Sequence, residues 1–180
     1  MSQYKSQPTN PNMLSPVGFR FMVKKLPNTN FFVQSCNLPG IQLNETEGMP
    51  TPFVRLPVPG DHMTFNELTV SFRVDEDFAN YLELFNWCRE LGFPETFQQA
   101  NTVYQTANSV ISNAGGQGVF SDATLMVLNS AMQPNIEVQF RQMVIIGLSD
   151  LQFDSRLSDI DYVECSATFR YRDFNINKLS

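Results

Sequence analysis

The sequence predicts a mostly β fold: an antiparallel β-barrel or sandwich of about six strands, with one packed α-helix and long loops. Apolar and polar residues alternate with period two in 65–74, 135–146 and 162–175, which is typical of strands with one buried face. One helical pattern lies at 75–91. The 180 residues are 42% apolar and include 16 Phe, enough for one core without disulfides or metal.

The N-terminal part predicts an arm followed by the first strands. Residues 1–17 are rich in Ser, Gln, Asn and Pro and are expected to form a flexible arm. The remaining residues, 18–180, form a single β domain. Within it, 18–25 and 31–36 are predicted strands separated by a Pro-Asn turn, which favours a β-hairpin.

Residues 37–60 predict an extended Pro-rich arm. Their prolines cannot donate to a ladder, so this segment is no central strand, and loops of such length are usually functional or disordered. Apolar side chains on an extended arm are expected to be buried by another surface, and we expect that surface to belong to a neighbouring subunit. The residues predicted for this subunit interface are Leu43, Phe53, Val54, Leu56 and Val58.

The clearest strand lies at 65–74. Its apolar residues predict a buried face formed by Leu68, Val70, Phe72 and Val74. The opposite face is polar and consists of Glu67, Thr69, Ser71 and Arg73. The strand at 135–146 repeats this pattern, with a polar face formed by Glu137, Gln139 and Arg141.

The helix is predicted to begin at Asp75-Glu76-Asp77 and to run to about Leu91. Acids at a helix start accept from free N–H groups and match the helix dipole. Its predicted apolar face consists of Phe78, Tyr81, Leu82, Phe85, Trp87 and Cys88. A polar insertion at 98–118 is expected to be a mobile loop. The remaining predicted strands are 123–128, 135–146 and 162–175, with a possible short strand at 151–153.

Composition excludes several classes of function. The chain has 12 Lys and Arg against 18 Asp and Glu, which gives a net charge of −6, and it contains no basic run. This composition argues against tight binding of nucleic acid. Because the chain has a single histidine, zinc sites that need two histidines are excluded, and so are most catalytic mechanisms that relay protons between histidines. The N-terminus lacks an apolar signal region, and no run approaches the roughly 18 apolar residues of a membrane span. We therefore expect a soluble protein made in a reducing compartment.

No pattern predicts catalysis. Asp75-Glu76-Asp77 is better explained by helix capping than by metal binding, and the aspartates at 150–161 lack the spacing of a calcium loop. Nucleophile-elbow and phosphate-loop motifs are absent. The expectation is a protein that is not an enzyme, with no cofactor and no metal. A small binding module, or a hydrolase using Asp and Glu side chains, stays as the alternative from another class.

The three cysteines show no metal or redox spacing. Cys88 and Cys165 fall on apolar faces and are interpreted as small buried hydrophobes. Cys36 ends a strand beside the Pro-rich arm and is expected to be the most exposed. It is the candidate for a cross-link between subunits if the assembly reaches an oxidising environment.

Several stretches, taken in order, resemble a known family. They are the strand that enters Leu38-Pro39-Gly40-Ile41, the segment Pro57-Val58-Pro59-Gly60-Asp61 before the 65–74 strand, the helix with Tyr81, Leu84 and Trp87, and the terminal Ala167-Thr168-Phe169-Arg170-Tyr171. Together they resemble the tail tube proteins of contractile-tailed bacteriophages, which are related to the type VI secretion tube protein.

The resemblance implies a structural virion protein. Stacked hexameric rings would form the inner tail tube, the conduit for DNA during ejection. The alternative is a ring of the same fold at a tube end, either a baseplate initiator or a tail terminator that stabilises the sheath. The 98–118 insertion, longer and more polar than expected of a plain tube protomer, keeps this alternative open.

The resemblance also implies partners and a location. The partners are other copies of the chain, the tail sheath protein, the tape measure protein, and the baseplate and terminator proteins at the tube ends. DNA is met only transiently in the lumen, without membrane insertion, and the location is the phage tail after assembly in the host cytoplasm. The Pro-rich arm would contact neighbouring subunits or rings. The lumen-facing candidates are Glu67, Thr69, Ser71, Arg73, Glu137, Gln139 and Arg141.

Overall fold

The computed structural model describes residues 12–47, 57–92, 119–156 and 162–179. In these ranges the chain forms nine strands, one α-helix and a single turn of 3₁₀-helix at Thr29–Phe31. The strands are β1 Phe19–Val23, β2 Val33–Cys36, β3 Ile41–Glu47, β4 Pro57–Phe65, β5 Leu68–Arg73, β6 Ser121–Leu128, β7 Pro134–Leu148, β8 Glu164–Arg170 and β9 Asp173–Lys178, and the helix α1 is Ala79–Gly92.

The strands form one large sheet and one separate hairpin. Seven strands make an antiparallel sheet in the order β1-β6-β7-β8-β5-β2, with β9 also on β7, while β3 and β4 pair only with each other. The predicted fold class is confirmed: mostly β, antiparallel, with one packed helix. Among the described strands the sheet path is open at β1 and β2, so a sandwich describes it better than a closed barrel.

The long strand β7 divides the sheet into two layers. Its first half pairs with β6 and β9, up to Arg141 opposite Asp173, and its second half pairs with β8, from Val144 opposite Arg170. Between the halves Gln142 adopts a φ of 51°, a left-handed conformation that bends a strand sharply. β7 therefore belongs to both layers, and its bend folds the sheet so that the two layers enclose the core.

The core lies between these layers and beneath α1. The predicted buried face of β5 is confirmed for Leu68, Val70 and Phe72, each at most 2% exposed. Further buried apolar residues come from both layers and from the helix; they include Phe21, Val23, Leu84, Trp87, Ala123, Leu125, Val138, Phe140, Met143, Ile145, Cys165, Ala167 and Phe169. Each strand layer buries one face and leaves the other to solvent or to partners.

The predicted hairpin between the first two strands is wrong. β1 pairs with β6, with Phe21 opposite Leu125, whereas β2 pairs with β5, with Cys36 opposite Val70. The turn between them carries the chain from one layer to the other, held by Asn30, whose side chain bonds both the backbone N–H and the carbonyl of Val23. Sequence neighbours therefore lie in opposite layers.

The Pro-rich arm is a paired hairpin at both of its described ends. β3 and β4 run antiparallel within the extended arm predicted at 37–60, and neither is a central strand of the main sheet. Pro57 and Pro59 fit in β4 because a two-stranded hairpin leaves one edge of each strand free of partners, where a missing N–H costs nothing. Residues 48–56, between the strands, lie outside the described residues.

The helix begins later and buries a narrower face than predicted. It starts at Ala79, and Asp75 instead accepts the N–H of Asp77 in the preceding turn. Asn80 anchors the start, since its buried amide donates to the Arg73 carbonyl at 2.7 Å. The buried face is Asn80, Leu84 and Trp87, while Leu82 and Phe85, predicted to be apolar contacts, are exposed.

The later strands are largely as predicted. The strands at 123–128 and 135–146 correspond to β6 and β7, but 162–175 divides into β8 and β9 at Tyr171-Arg172, opposite the bend in β7. Residues 151–153 form no strand. The 98–118 insertion lies outside the described residues, as does most of the 1–17 arm, so both stay predictions.

Candidate assembly surfaces

The β3–β4 hairpin presents an exposed apolar face. Leu43 lies opposite Met63 and Ile41 opposite Phe65, so these four side chains share one face. Leu43 and Met63 are more than half exposed, at 52% and 55%. We call Ile41, Leu43 and Met63 the hairpin face. Contiguous exposed apolar side chains of this kind mark an interaction site.

The base of the hairpin is fixed to the sandwich. Phe65 packs against Tyr171 and Phe174, with ring centroids 5.9 and 5.5 Å apart. The Tyr171 hydroxyl donates to the Asn66 carbonyl at 2.9 Å, and its partial burial raises the pKa of Tyr171 to about 12, so this donor keeps its proton. The hairpin face is therefore presented from a defined direction.

The predicted subunit interface is described only in part. Leu43 is on the hairpin face, and Val58 lies in β4 opposite Thr46. Phe53, Val54 and Leu56 lie outside the described residues. Sequence reasoning missed Met63, although its spacing of two from Phe65 was the available signal. The interface itself stays a prediction.

The first set of predicted lumen residues forms one side of a polar ladder across β5 and β8. Ser71 and Ser166 share a hydrogen bond of 2.9 Å, and Thr69 lies opposite Thr168. Opposite charges close the two ends: Glu67 accepts from Arg170 at 2.9 Å, and Arg73 lies 3.9 Å from Glu164.

We call these four cross-strand pairs, Glu67–Arg170, Thr69–Thr168, Ser71–Ser166 and Arg73–Glu164, the polar ladder. One positive and one negative charge stand at each end, and hydroxyl groups lie between them. The surface is therefore hydrated but electrically neutral. Such a surface attracts a polyanion weakly, because tight binding of phosphates needs clustered cations.

The second set of predicted lumen residues lies in the other layer. Gln139 is opposite Asn175 and Glu137 opposite Asn177. Arg141 makes two hydrogen bonds to the Asp173 carboxylate, at 2.7 and 3.0 Å. The structure thus places the two sets on separate polar faces rather than bringing them together. Which face meets a channel stays a prediction.

Sequence reasoning missed the partners of these residues. Ser166, Arg170 and Asp173 complete the polar pairs, but each belongs to a strand 30 or more residues away from its partner in the chain. Cross-strand register, which a single sequence does not display, decides these contacts.

The two free sheet edges border a groove. β1 and β2 end the sheet path, and a cavity of about 500 Å³ is lined by residues from both and from the turn between them: Phe19, Arg20, Phe21, Met22, Pro27, Asn30, Phe31 and Val33. Free strand edges offer unpaired N–H and C=O groups to another chain. This side of the sandwich is suited to contact with a neighbouring subunit.

The cysteines have environments that disfavour reaction. Cys36 and Cys88 are both half-buried and Cys165 is buried, so Cys36 does not stand out as the most exposed of the three. Burial raises the pKa of Cys36 to about 12 and raises the pKa values of Cys88 and Cys165. Since the thiolate is the reactive form, burial slows reaction at Cys36, and its cross-link between subunits stays a prediction.

In the described part of the chain, histidine, cysteine, aspartate and glutamate side chains form no group of three able to hold a metal ion. Its helix is too short and too polar to cross a membrane.

The comparison with curated proteins found a relative among phage tail proteins. The chain is 26% identical over 148 residues to the tail tube terminator protein of Enterobacteria phage T4, covering 81% of this chain and 76% of the relative. No family profile matches the chain.

Solved structures of contractile systems share the fold. A protein of the PVC extracellular contractile injection system sheath–tube complex superposes with a TM-score of 0.64, at 13% identity, over 99% of this chain and 100% of that one. The chain has a tail-tube-like fold. The predicted resemblance is thereby confirmed in both sequence and fold.

Two further neighbours of this tail-tube-like chain come from tube ends. The PVC sheath/tube terminator gives a TM-score of 0.62 at 15% identity, over 93% of this chain and 99% of that one. The tube-terminating cap of the anti-feeding prophage gives 0.60 at 12% identity, over 99% and 100%. Tube and terminator proteins thus match almost equally well, so the fold alone does not distinguish the two roles.

Proposed function

We propose that this chain is a tail tube terminator, a ring protein that closes one end of the tube in a contractile tail. The observation that carries the proposal is the sequence relation to the T4 tail tube terminator, which spans 81% of the chain. The main tube protomer, the first expectation from the sequence, is the weaker of the two roles. The tube-end alternative explains the sequence relation as well as the fold.

Ring formation uses the free sheet edges in this proposal. β1 and β2 lie at the two ends of the sheet path, beside the groove lined by Phe19 and Val33. A head-to-tail contact that closes by rotation makes a ring and leaves no edge free for aggregation. Six copies per ring is the number that the tail tube family implies.

The hairpin face provides the contact with the tube. It stands off the sandwich on a fixed base and exposes Leu43 and Met63, so docking on the last tube ring would bury apolar surface. The polar ladder is then the better candidate for the channel wall, because its paired charges cancel and DNA would pass without being held. The role is structural and needs no catalytic group.

The partners follow from the tube-end role. They are other copies of the chain in the ring, the last tube ring beneath it and the sheath end around it. DNA and the tape measure protein pass through without lasting contact. The protein assembles in the host cytoplasm and stays in the finished tail.

A labelling experiment tests this role. Tails assembled with an epitope-tagged form of this chain are stained with gold-conjugated antibody and imaged by electron microscopy. The terminator role predicts label at one tube end only. Label distributed along the tube would contradict it and would restore the main tube protomer.

A further inference from the structure

The end of the sandwich opposite the hairpin carries a second surface. The hairpin leaves from the end of β2 and returns at the start of β5. The opposite end is built by the end of β5, the start of β8 and the turn before α1. Since β5 spans Leu68–Arg73 at about 3.4 Å per residue, its two ends lie roughly 17 Å apart.

Two adjoining hollows, each of about 670 Å³, form a groove at this end. They share Tyr162 and Val163 as a common wall. Three aromatic side chains at the groove are more exposed than most large apolar residues: Phe31 at 85%, Phe153 at 71% and Tyr162 at 69%. We call this surface the aromatic groove.

These exposed rings are held in place by neighbours. The Arg73 guanidinium lies 4.7 Å from the centre of the Tyr162 ring. Phe153 stacks on Phe78 with centroids 6.5 Å apart, and Phe31 meets the edge of Phe32 at 5.2 Å. Rings fixed before binding lose little freedom when a partner covers them, which favours affinity.

The aromatic groove is strongly acidic. Among the described residues its lining contains five carboxylates and one arginine; the carboxylates are those of Asp75, Glu76, Asp150, Asp154 and Glu164. Arg73 lies near Glu164 at 3.9 Å, and Arg156 binds Asp154 at 3.1 Å and holds the pKa of that carboxyl below its usual range. In the described part of the chain, Asp75, Glu76 and Asp150 form no ion pair.

We propose that the aromatic groove docks an apolar segment flanked by lysine or arginine on a protein other than this chain. Apolar side chains of the partner would cover the exposed rings, and its cations would meet the carboxylates of Asp75, Glu76 and Asp150. Opposite potentials across an interface favour the right partner and repel wrong ones.

The same charge excludes a second copy of this chain. By sequence, residues 41–65 carry three acids, Glu45, Glu47 and Asp61, against a single arginine. A hairpin docked in the aromatic groove of another copy would bring like charges together. Here the inference rests on the proposed function: it explains how a ring that docks on the tube by its hairpin does not extend by stacking on itself.

A peptide titration tests the docking. The probe is a short fluorescein-labelled peptide with a Leu-Phe-Leu centre and lysines on both sides, and the readout is fluorescence anisotropy with the full chain. We expect Tyr162→Ala and Glu76→Lys to weaken binding at least tenfold. Glu137→Lys, the same charge change on the other polar face, should leave it within twofold. Equal weakening by Glu76→Lys and Glu137→Lys, or none by either, would overturn the docking site.

A charge exchange tests the exclusion of a second copy. In sedimentation velocity, Asp75→Lys/Glu76→Lys/Asp150→Lys, which leaves four cations against two acids in the groove lining, should cause concentration-dependent association beyond the single ring. Adding Glu45→Lys/Asp61→Lys to the same chain should abolish it, because the hairpin and groove again carry like charge. If association is the same with and without the groove and hairpin substitutions, the exclusion of a second copy is overturned. Neither result depends on where the protein lies in the tail, which the gold label reports separately.

Discussion

At the scale of single residues, Phe72 is the sharpest test of the core. It is fully buried at the centre of β5, between β2 and β8 in the sheet. Phe72→Ala should lower the free energy of unfolding by about 3–5 kcal/mol, since it removes a large apolar side chain and leaves a cavity. Urea denaturation followed by circular dichroism measures the change.

The matched control for Phe72 is Thr69→Ala on the exposed face of the same strand. It should change the free energy of unfolding by less than about 0.5 kcal/mol. A loss below about 1 kcal/mol for Phe72→Ala would mean that the two faces of β5 have been reversed.

Cys36 gives a second prediction at this scale. Its pKa is raised to about 12 from an ordinary value of 9.0, so the folded chain keeps this thiol protonated at pH 8. Alkylation by iodoacetamide at that pH should be roughly a thousandfold slower in the folded chain than in urea, because only the thiolate reacts. Peptide mass spectrometry measures the rate at Cys36 separately from the other cysteines.

The same raised pKa sets a pH dependence of stability. The contribution of the neutral Cys36 thiol is fully present below about pH 9, and it is lost as the pH rises toward 12. Cys36→Ser should therefore flatten the fall in stability over that range. Equal alkylation rates in the folded and unfolded chain would contradict both expectations.

At the scale of elements, the hairpin should work as a separate docking device. Leu43→Asp should leave the melting temperature nearly unchanged, because this side chain touches solvent rather than core, yet it should abolish attachment to tube ends. Co-sedimentation with isolated tubes measures attachment.

The neighbouring residue supplies the control for the hairpin. Gln42→Asp introduces the same side chain on the opposite face of β3 and should preserve attachment. Equal loss of attachment by Gln42→Asp and Leu43→Asp would show that charge, rather than the apolar face, governs docking.

The elements also show what the sequence was able to predict. Alternation along β5 identified Leu68, Val70 and Phe72 correctly, since one strand with one buried face carries its own pattern. Pairing is different in kind: β1 and β2 are neighbours in the chain, yet their partners are β6 and β5. No local pattern records a partner that lies far along the chain.

The helix and the aromatic groove extend this lesson. Apolar residues on several sides of α1 left its buried face ambiguous, and the Asn80 hydrogen bonds, invisible in the sequence, decided it. The groove collects Phe31 from the turn before β2, and Phe153 and Tyr162 from the distant connection between β7 and β8. From the sequence, Asp75 and Glu76 were interpreted as a helix cap and the aspartates at 150–161 as a loop. Only the folded sandwich brings these acidic residues to one groove.

At the scale of the whole molecule, the two ends of the protomer carry different surfaces. One end carries the apolar hairpin face on an acidic segment, and the other carries an acidic aromatic groove. An extending tube needs two ends that fit each other, whereas a terminal ring needs one end that fits the tube and another that rejects a further copy. The charge distribution matches the second requirement.

Electron microscopy of the purified chain in negative stain, across a concentration series, tests this account most directly. The account predicts discrete rings that do not lengthen, even at the highest concentration, in a buffer of low to physiological salt. Like charge on the hairpin and on the aromatic groove keeps a second copy from docking there, and high salt would screen this repulsion. Long hollow tubes formed by this chain alone would contradict the terminator role and identify the protein as the tube protomer.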